Sequence, residues 1–198
     1  GSTRVGQQMI RDAADTVKKV SMELGGNAPI IIYDDVDLGA VLDVIVPAKF
    51  ANAGQVCTSP DRFFVQDGLH DRFVAEFAKR AAALKLGDGL DQATQMGPLI
   101  NAGRLNEVDA VVQEAVQAGA TLETGGKRAS GFNAGHFYEP TVLSNVTDDM
   151  RVFAEENFGP IAAISHFSDE DEMLTRANAS TMGLASYAFT RSHERARG

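Results

Sequence analysis

The one cysteine of the chain, Cys57, lies in Asn52-Ala53-Gly54-Gln55-Val56-Cys57-Thr58-Ser59-Pro60. Small residues on both sides leave the sulfur open to a substrate. A thiolate at this place can attack an electrophilic carbon, and the main-chain N–H of Cys57 can hold the oxyanion that forms. The competing reading is a small buried hydrophobe, the usual fate of a free cysteine. Two acidic segments add further chemistry. Glu23, in Met22-Glu23-Leu24-Gly25-Gly26, puts a carboxylate before a glycine pair that permits close approach of a ligand or a strand. In Glu155-Glu156-Asn157-Phe158-Gly159-Pro160, two acids run into an aromatic and a Gly-Pro turn. Taken singly, Glu23 reads equally as a surface acid, and the second cluster as a solvated helix end followed by a loop. The histidines His70, His136, His166 and His193 have no metal-ligand spacing among themselves or with Cys57, so no metal site is expected. The glycine-rich pieces form neither of the two phosphate-binding fingerprints that follow a strand.

The elements that must position these residues follow from periodicity. Val5, Met9, Ala13, Val17 and Val20 recur at helical spacing, which predicts a first helix over 5–20. The uninterrupted β-branched run Pro29 to Tyr33, set between Gly25-Gly26-Asn27 and Asp34-Asp35, predicts a fully buried parallel strand. A helix over 35–52 follows, with Pro47 expected to kink or interrupt it just ahead of Cys57. Strands are predicted over 62–66, 161–167 and 185–190. Helices are predicted over 70–84, 101–118 with Gly119 as the stop, and 170–179. Thr124-Gly125-Gly126-Lys127 and the stretch Ser130 to Gly135 read as a surface hairpin or loop. Alternating helices and strands give the expected fold class: α/β, a three-layer α/β sandwich with a mainly parallel sheet and right-handed connections.

Composition excludes several functions. The 198 residues carry 27 acidic and 18 basic side chains for a net charge of −9, with 44% hydrophobic and 23% charged residues, an ordinary globular balance. An acidic chain without a Lys/Arg cluster is not built for nucleic acid or an anionic membrane. The apolar run Ala28 to Tyr33 is far too short to cross a bilayer and lacks the flanks of a signal peptide. One cysteine forms no internal disulfide, in keeping with a reducing compartment. The chain is therefore expected to be soluble and cytoplasmic.

Three clusters in order, Glu23-Leu24-Gly25-Gly26, then Phe50-x-Asn52-x-Gly54-Gln55-x-Cys57, then Glu155-Glu156-x-Phe158-Gly159-Pro160, resemble the signatures of the NAD(P)-dependent aldehyde dehydrogenase superfamily. Met96-Gly97-Pro98-Leu99-Ile100, Glu139-Pro140-Thr141-Val142-Leu143 and Asn178 followed by Gly183-Leu184 support the match, which covers essentially the whole chain. The resemblance implies that Cys57 attacks an aldehyde to give a thiohemiacetal, and that loss of hydride to NAD or NADP leaves a thioester. It implies that Glu23, as a partly buried carboxylate, activates the hydrolytic water. It further implies that Glu156 grips the nicotinamide ribose and Phe158 packs beside that ring, with Leu24 and Gly25 lying along it. Gly1-Ser2-Thr3 is similar to the family's phosphate-binding turn, with Ser2 and the following helix start at the pyrophosphate, and Val5 near the adenine.

The resemblance then implies that residues 1–22 are the tail of a dinucleotide-binding domain and 23–198 the catalytic domain without its C-terminal segment. The expectation is a fragment that binds NAD poorly and turns over little by itself. In that reading the second oxyanion donor, the residue that separates NAD from NADP, and the arms that build a homo-oligomer lie outside it. Met22 to Pro29 and Val65-Gln66-Asp67-Gly68 lean toward the succinate-semialdehyde dehydrogenase branch. However, the position six residues before Cys57, where that branch often has an arginine, is Ala51, which cannot pair with a carboxylate. Thr58 and Ser59 likewise exclude a redox disulfide with a second neighbouring cysteine. Two other readings stand beside this one: a non-catalytic truncated module serving structure or interaction, and a thiol hydrolase, which would need a histidine partner for Cys57.

Overall fold

The computed structural model describes residues 1–197. Its centre is a six-stranded sheet with strand order β3-β4-β5-β2-β1-β6. The strands are β1 (Ala28–Ile32), β2 (Pro60–Gln66), β3 (Thr121–Thr124), β4 (Thr141–Ser144), β5 (Ile161–Phe167) and β6 (Tyr187–Phe189). Every neighbouring pair is parallel except β3 with β4. Helices α1 (Thr3–Ala14), α2 (Leu38–Phe50), α3 (Asp67–Ala82), α4 (Ala102–Gln117), α5 (Arg151–Ala154) and α6 (Glu170–Asn178) accompany it.

The period of two along β2 shows why the sheet needs covering on both sides. Phe63 points to one face, where it meets Phe73 and Phe77 of α3 at ring separations of 6.3 and 5.4 Å, with Phe50 of α2 beyond Phe77. Phe64 points to the other, where it meets Phe153 of α5 at 5.2 Å and lies under the Arg176 guanidinium of α6. Helices on both faces make the three layers expected from the sequence, and β1, β2 and β5 are the parallel strands between them; β1 is not buried throughout as expected, its Pro29 and Ile31 being only half-buried.

Three local outcomes differ from the sequence reading. Helix α1 ends at Ala14, not Val20, and Val17 adopts a left-handed φ of 53°. Only Gly6 of α1 is buried, so packing extends the helix no further than its own propensity does. Pro47 is accommodated within α2; the helix breaks four residues later, in a tight turn over Ala51–Gly54. The stretch read as a surface hairpin or loop is flanked by two strands that the sequence reading did not name, β3 and β4, an antiparallel pair.

Candidate active site

In a parallel sheet all strands start at the same edge. The three sequence clusters each run into a strand: Gly25-Gly26-Asn27 into β1, Cys57-Thr58-Ser59 into β2, and Glu156 to Pro160 into β5. Because β5, β2 and β1 are neighbours, segments as far apart as residues 26 and 156 meet at the amino ends of those strands. They line one cleft of about 620 Å³ with Gly1, Ser2, Glu23, Leu24, Gly25, Cys57, Glu156 and Phe158 on its walls. Of the site residues that the resemblance implies, only Val5 lies outside this cleft, exposed on α1. Gln55, Val56 and Arg104 complete the lining.

Cys57 is half-buried, at the apex of a turn closed by the Ser59 N–H donating to the Val56 carbonyl at 3.0 Å. The turn is aimed by what precedes it. Asn52 and Ala53 take left-handed φ values of 50° and 54°, an uncommon strain for residues with a Cβ. Asn52 Nδ2 donates to the Gln55 carbonyl at 3.0 Å, while Gln55 Nε2 returns a bond to the Asn52 carbonyl at 2.9 Å. Gln55 Oε1 accepts the Ile100 N–H at 2.9 Å, tying the turn to the loop before α4. Behind Cys57, Tyr187 donates its hydroxyl to the Thr58 carbonyl at 2.7 Å. Gly26 passes so close that a Cβ there would sit 2.6 Å from the Cys57 carbonyl oxygen, which explains the second glycine of the pair.

Glu156 faces Gly25 just as tightly: a Cβ on Gly25 would lie 2.4 Å from Glu156 Oε2. Glu156 Oε1 accepts the Gly26 N–H at 3.1 Å, and Oε2 has no protein donor among the described residues. Burial pushes the Glu156 carboxyl up from its ordinary value; the Gly26 N–H and the Arg104 cation oppose this, and Asp61 adds to it. Phe158 adopts a left-handed φ of 42° at the cleft wall. Glu23 is exposed at the cleft, not partly buried as the resemblance implies. Glu155 points away, to Arg151.

Beneath the cleft is a buried ion pair that no motif announced. Lys49 Nζ meets Asp61 Oδ1 at 2.7 Å, with side chains 0% and 4% exposed. Asp61 Oδ2 accepts the Asn157 N–H at 3.2 Å, so the pair joins α2, β2 and the Glu156 loop. Its sequence signal was a lysine in the buried stripe of α2 and an aspartate at the start of an apolar strand.

A second cleft of about 640 Å³ opens near the carboxyl ends of β4 and β5, lined by Asp148, Ser165, His166, Glu172 and Arg176 among others. Its volume matches that of the first, yet Arg176 is already engaged there by both Asp148 oxygens at 2.8–3.2 Å and by Ser165 Oγ at 2.6 Å. It offers no nucleophilic thiol. Chemistry, not volume, selects the first cleft. Among the described residues no group of three His, Cys, Asp or Glu side chains could hold a metal, and no helix is long and apolar enough to cross a membrane.

A mainly parallel three-layer α/β domain with a thiol and two carboxylates converging on the amino ends of its central strands defines the class of protein. The chain belongs to the aldehyde dehydrogenase family, whose model matches residues 1–198. It is 46% identical over 191 residues to 3-sulfolactaldehyde dehydrogenase of Pseudomonas putida, covering 96% of this chain and 39% of that protein. It is 45% identical over 193 residues to a mitochondrial succinate-semialdehyde dehydrogenase of Oryza sativa subsp. japonica, covering 97% and 36%. A solved 3,6-anhydro-L-galactose dehydrogenase in complex with NAP superimposes with a TM-score of 0.95 at 41% identity, over 100% of this chain and 42% of that one. The chain thus spans about two-fifths of the length of the relatives it matches.

Proposed function

We propose that the chain is the catalytic part of an enzyme that oxidises an aldehyde to a carboxylic acid with NAD or NADP. The observation that supports this best is the convergence of Cys57, Glu23, Glu156 and Phe158 on one cleft. The residues present fit the nicotinamide end of a dinucleotide. Glu156 Oε2 is an acceptor without a protein donor, suited to ribose hydroxyls, and the absence of a side chain at Gly25 leaves that oxygen uncovered. When bound, the nicotinamide supplies the acceptor for hydride leaving the thiohemiacetal on Cys57, which becomes a thioester.

The chain's own residues do the rest. The Cys57 sulfur forms a bond to the aldehyde carbon, and the resulting oxyanion lies within reach of the Cys57 N–H, which no protein oxygen accepts among the described residues. Glu23 takes a proton from water as its oxygen adds to the thioester carbon; the C–S bond then breaks and the thiolate is restored. We assign residues 1–22 to the end of a dinucleotide-binding domain and 23–198 to the catalytic domain, in keeping with α1 standing off the sheet. The substrate class is a small aldehyde of the semialdehyde type, by analogy with the relatives, and the working form a cytoplasmic homo-oligomer of the whole protein.

An ester tests the cysteine chemistry without any cofactor, because p-nitrophenyl acetate acylates a thiolate to the same kind of thioester. The chain should release a burst of one p-nitrophenolate per molecule, and Cys57→Ser should abolish it. Glu23→Gln should keep the burst and slow later turnover about 100-fold, the scale of a lost general base. A burst that survives Cys57→Ser, or none from the native chain, overturns the reading in favour of a non-catalytic module.

A further inference from the structure

Arg104 breaks two local rules. It is the third residue of α4, where a cation opposes the helix dipole, and its Nε is buried without a partner. The helix answers the charge with Glu107 one turn on but offers Nε no partner, and its cap at Asn101 serves only the Arg104 backbone N–H, at 2.8 Å. What the side chain gains lies in the cleft, where it is the one basic side chain on the wall. Its Nη2 donates to the Asn157 carbonyl at 2.7 Å, a short charge-assisted bond. Its Nη1 pairs with Glu107 Oε2 at 3.0 Å, and Glu107 Oε1 takes Arg151 Nη2 at 3.3 Å. Arg151 Nε in turn holds Glu155 Oε2 at 3.0 Å. The arginine fork is therefore anchored on one prong, with the other fixed on the Asn157–Phe158 peptide.

Asn157 is clamped from every side. Its N–H goes to Asp61, its side-chain amide to the Val152 carbonyl at 2.8 Å, and its carbonyl to Arg104. The next residue is Phe158, whose left-handed φ a free loop would relax. We propose that Arg104 is a positioning residue: by holding the Asn157 carbonyl it fixes Glu156 and Phe158 in the geometry that presents Glu156 Oε2 to the cleft. The inference rests on the reading above in taking Glu156 as the group that receives the dinucleotide ribose. Arg104 also faces Glu156 electrostatically, together with the Gly1 nitrogen as a second cation and Asp61 as an anion.

The test needs no cofactor. Amide exchange and the carboxyl titration of Glu156 are followed by NMR in the native chain, in Arg104→Met and in Arg104→Lys. Arg104→Met should speed exchange of the Asn157 amide about tenfold or more, as expected when one charged hydrogen bond leaves a local opening equilibrium, with Ile164 in β5 unaffected. It should also move the Glu156 midpoint upward, which a merely structural role would not do. Arg104→Lys keeps the cation but loses the fork, so the Glu156 midpoint should stay while Asn157 exchange still rises; should Arg104→Met not fold, this variant decides. Native-like exchange at Asn157 in a folded variant overturns the proposal. The ester burst separates the two ideas: its absence from the native chain defeats the proposed reaction and leaves the Arg104 result standing, whereas a normal burst with unmoved exchange defeats only the positioning.

Discussion

Replacing Lys49 by Met removes the cation from a pair whose side chains are 0% and 4% exposed. Methionine fills nearly the same space, so the change is chiefly electrostatic: Asp61 is left as a buried anion with only the Asn157 N–H to solvate it. Breaking a buried pair by removing one partner costs about 3–5 kcal/mol. That is about two to three and a half powers of ten in the folding equilibrium. Ser59 also loses its contact to Nζ at 3.3 Å, which places the expectation in the upper half of that range. The double variant Lys49→Met/Asp61→Leu removes both charges and leaves the Asn157 N–H unpaired, at about 1–3 kcal/mol, while Ser59 Oγ, which loses Nζ in both variants, keeps its bond to the Lys49 carbonyl. It should therefore be more stable than the single variant. Urea unfolding followed by circular dichroism measures both, the chain having no tryptophan to report by fluorescence. A single variant within about 1 kcal/mol of the native chain, or a double variant no better than the single, would show that the pair is not the electrostatic anchor its burial implies.

Two further outcomes follow from close approaches and charge. Gly54→Ala should destabilise by more than the roughly 1–2 kcal/mol of a left-handed alanine, because a Cβ at φ 69° would stand 2.0 Å from the Gly159 carbonyl oxygen; urea midpoints check it, and a change below 1 kcal/mol would contradict the contact. Glu156 is raised by burial, so the folded state binds its proton more tightly than the unfolded chain; the stability it contributes is present below the ordinary carboxyl range and is lost as pH rises through the raised value. Glu156→Gln should thus be more stable than the native chain at pH 7.5, with the difference shrinking toward pH 4; a difference that grows on acidification would reverse the sign of the argument.

What the sequence could reveal depended on how far each signal reaches. Cys57, Glu23 and Glu156 were legible because short motifs surround them, and β1 because an unbroken apolar run has few alternatives in a chain of this size. β3 was not legible: its residues are mostly exposed at the sheet edge, and β4 beside it is only four residues long, too short to establish a period. Val5, assigned to the adenine by its place after Gly1-Ser2-Thr3, lies outside the Cys57 cleft with its side chain at the surface of α1. Lys49, Asp61 and Arg104 carry no motif. Their partners are 12 and 53 residues away, and periodicity has no term for a side chain that reaches across the fold.

The location of the cleft explains why those unannounced residues are needed. Ligands of open parallel sheets usually sit beyond the carboxyl ends of the strands, where helix amino termini supply positive potential. Here the thiol and both carboxylates lie at the amino ends, which α2 approaches with its carboxyl end just before Cys57. That end of a helix disfavours anions. The site must therefore gather its positive charge and N–H donors individually: Lys49 below the cleft, the start of α4 with Arg104 at its side, the Gly26 N–H on Glu156. Each is held by a partner from another part of the chain. A loop before a strand can then be as fixed as the strand itself, and the strained backbone at Asn52, Ala53 and Phe158 persists because these contacts over-determine it.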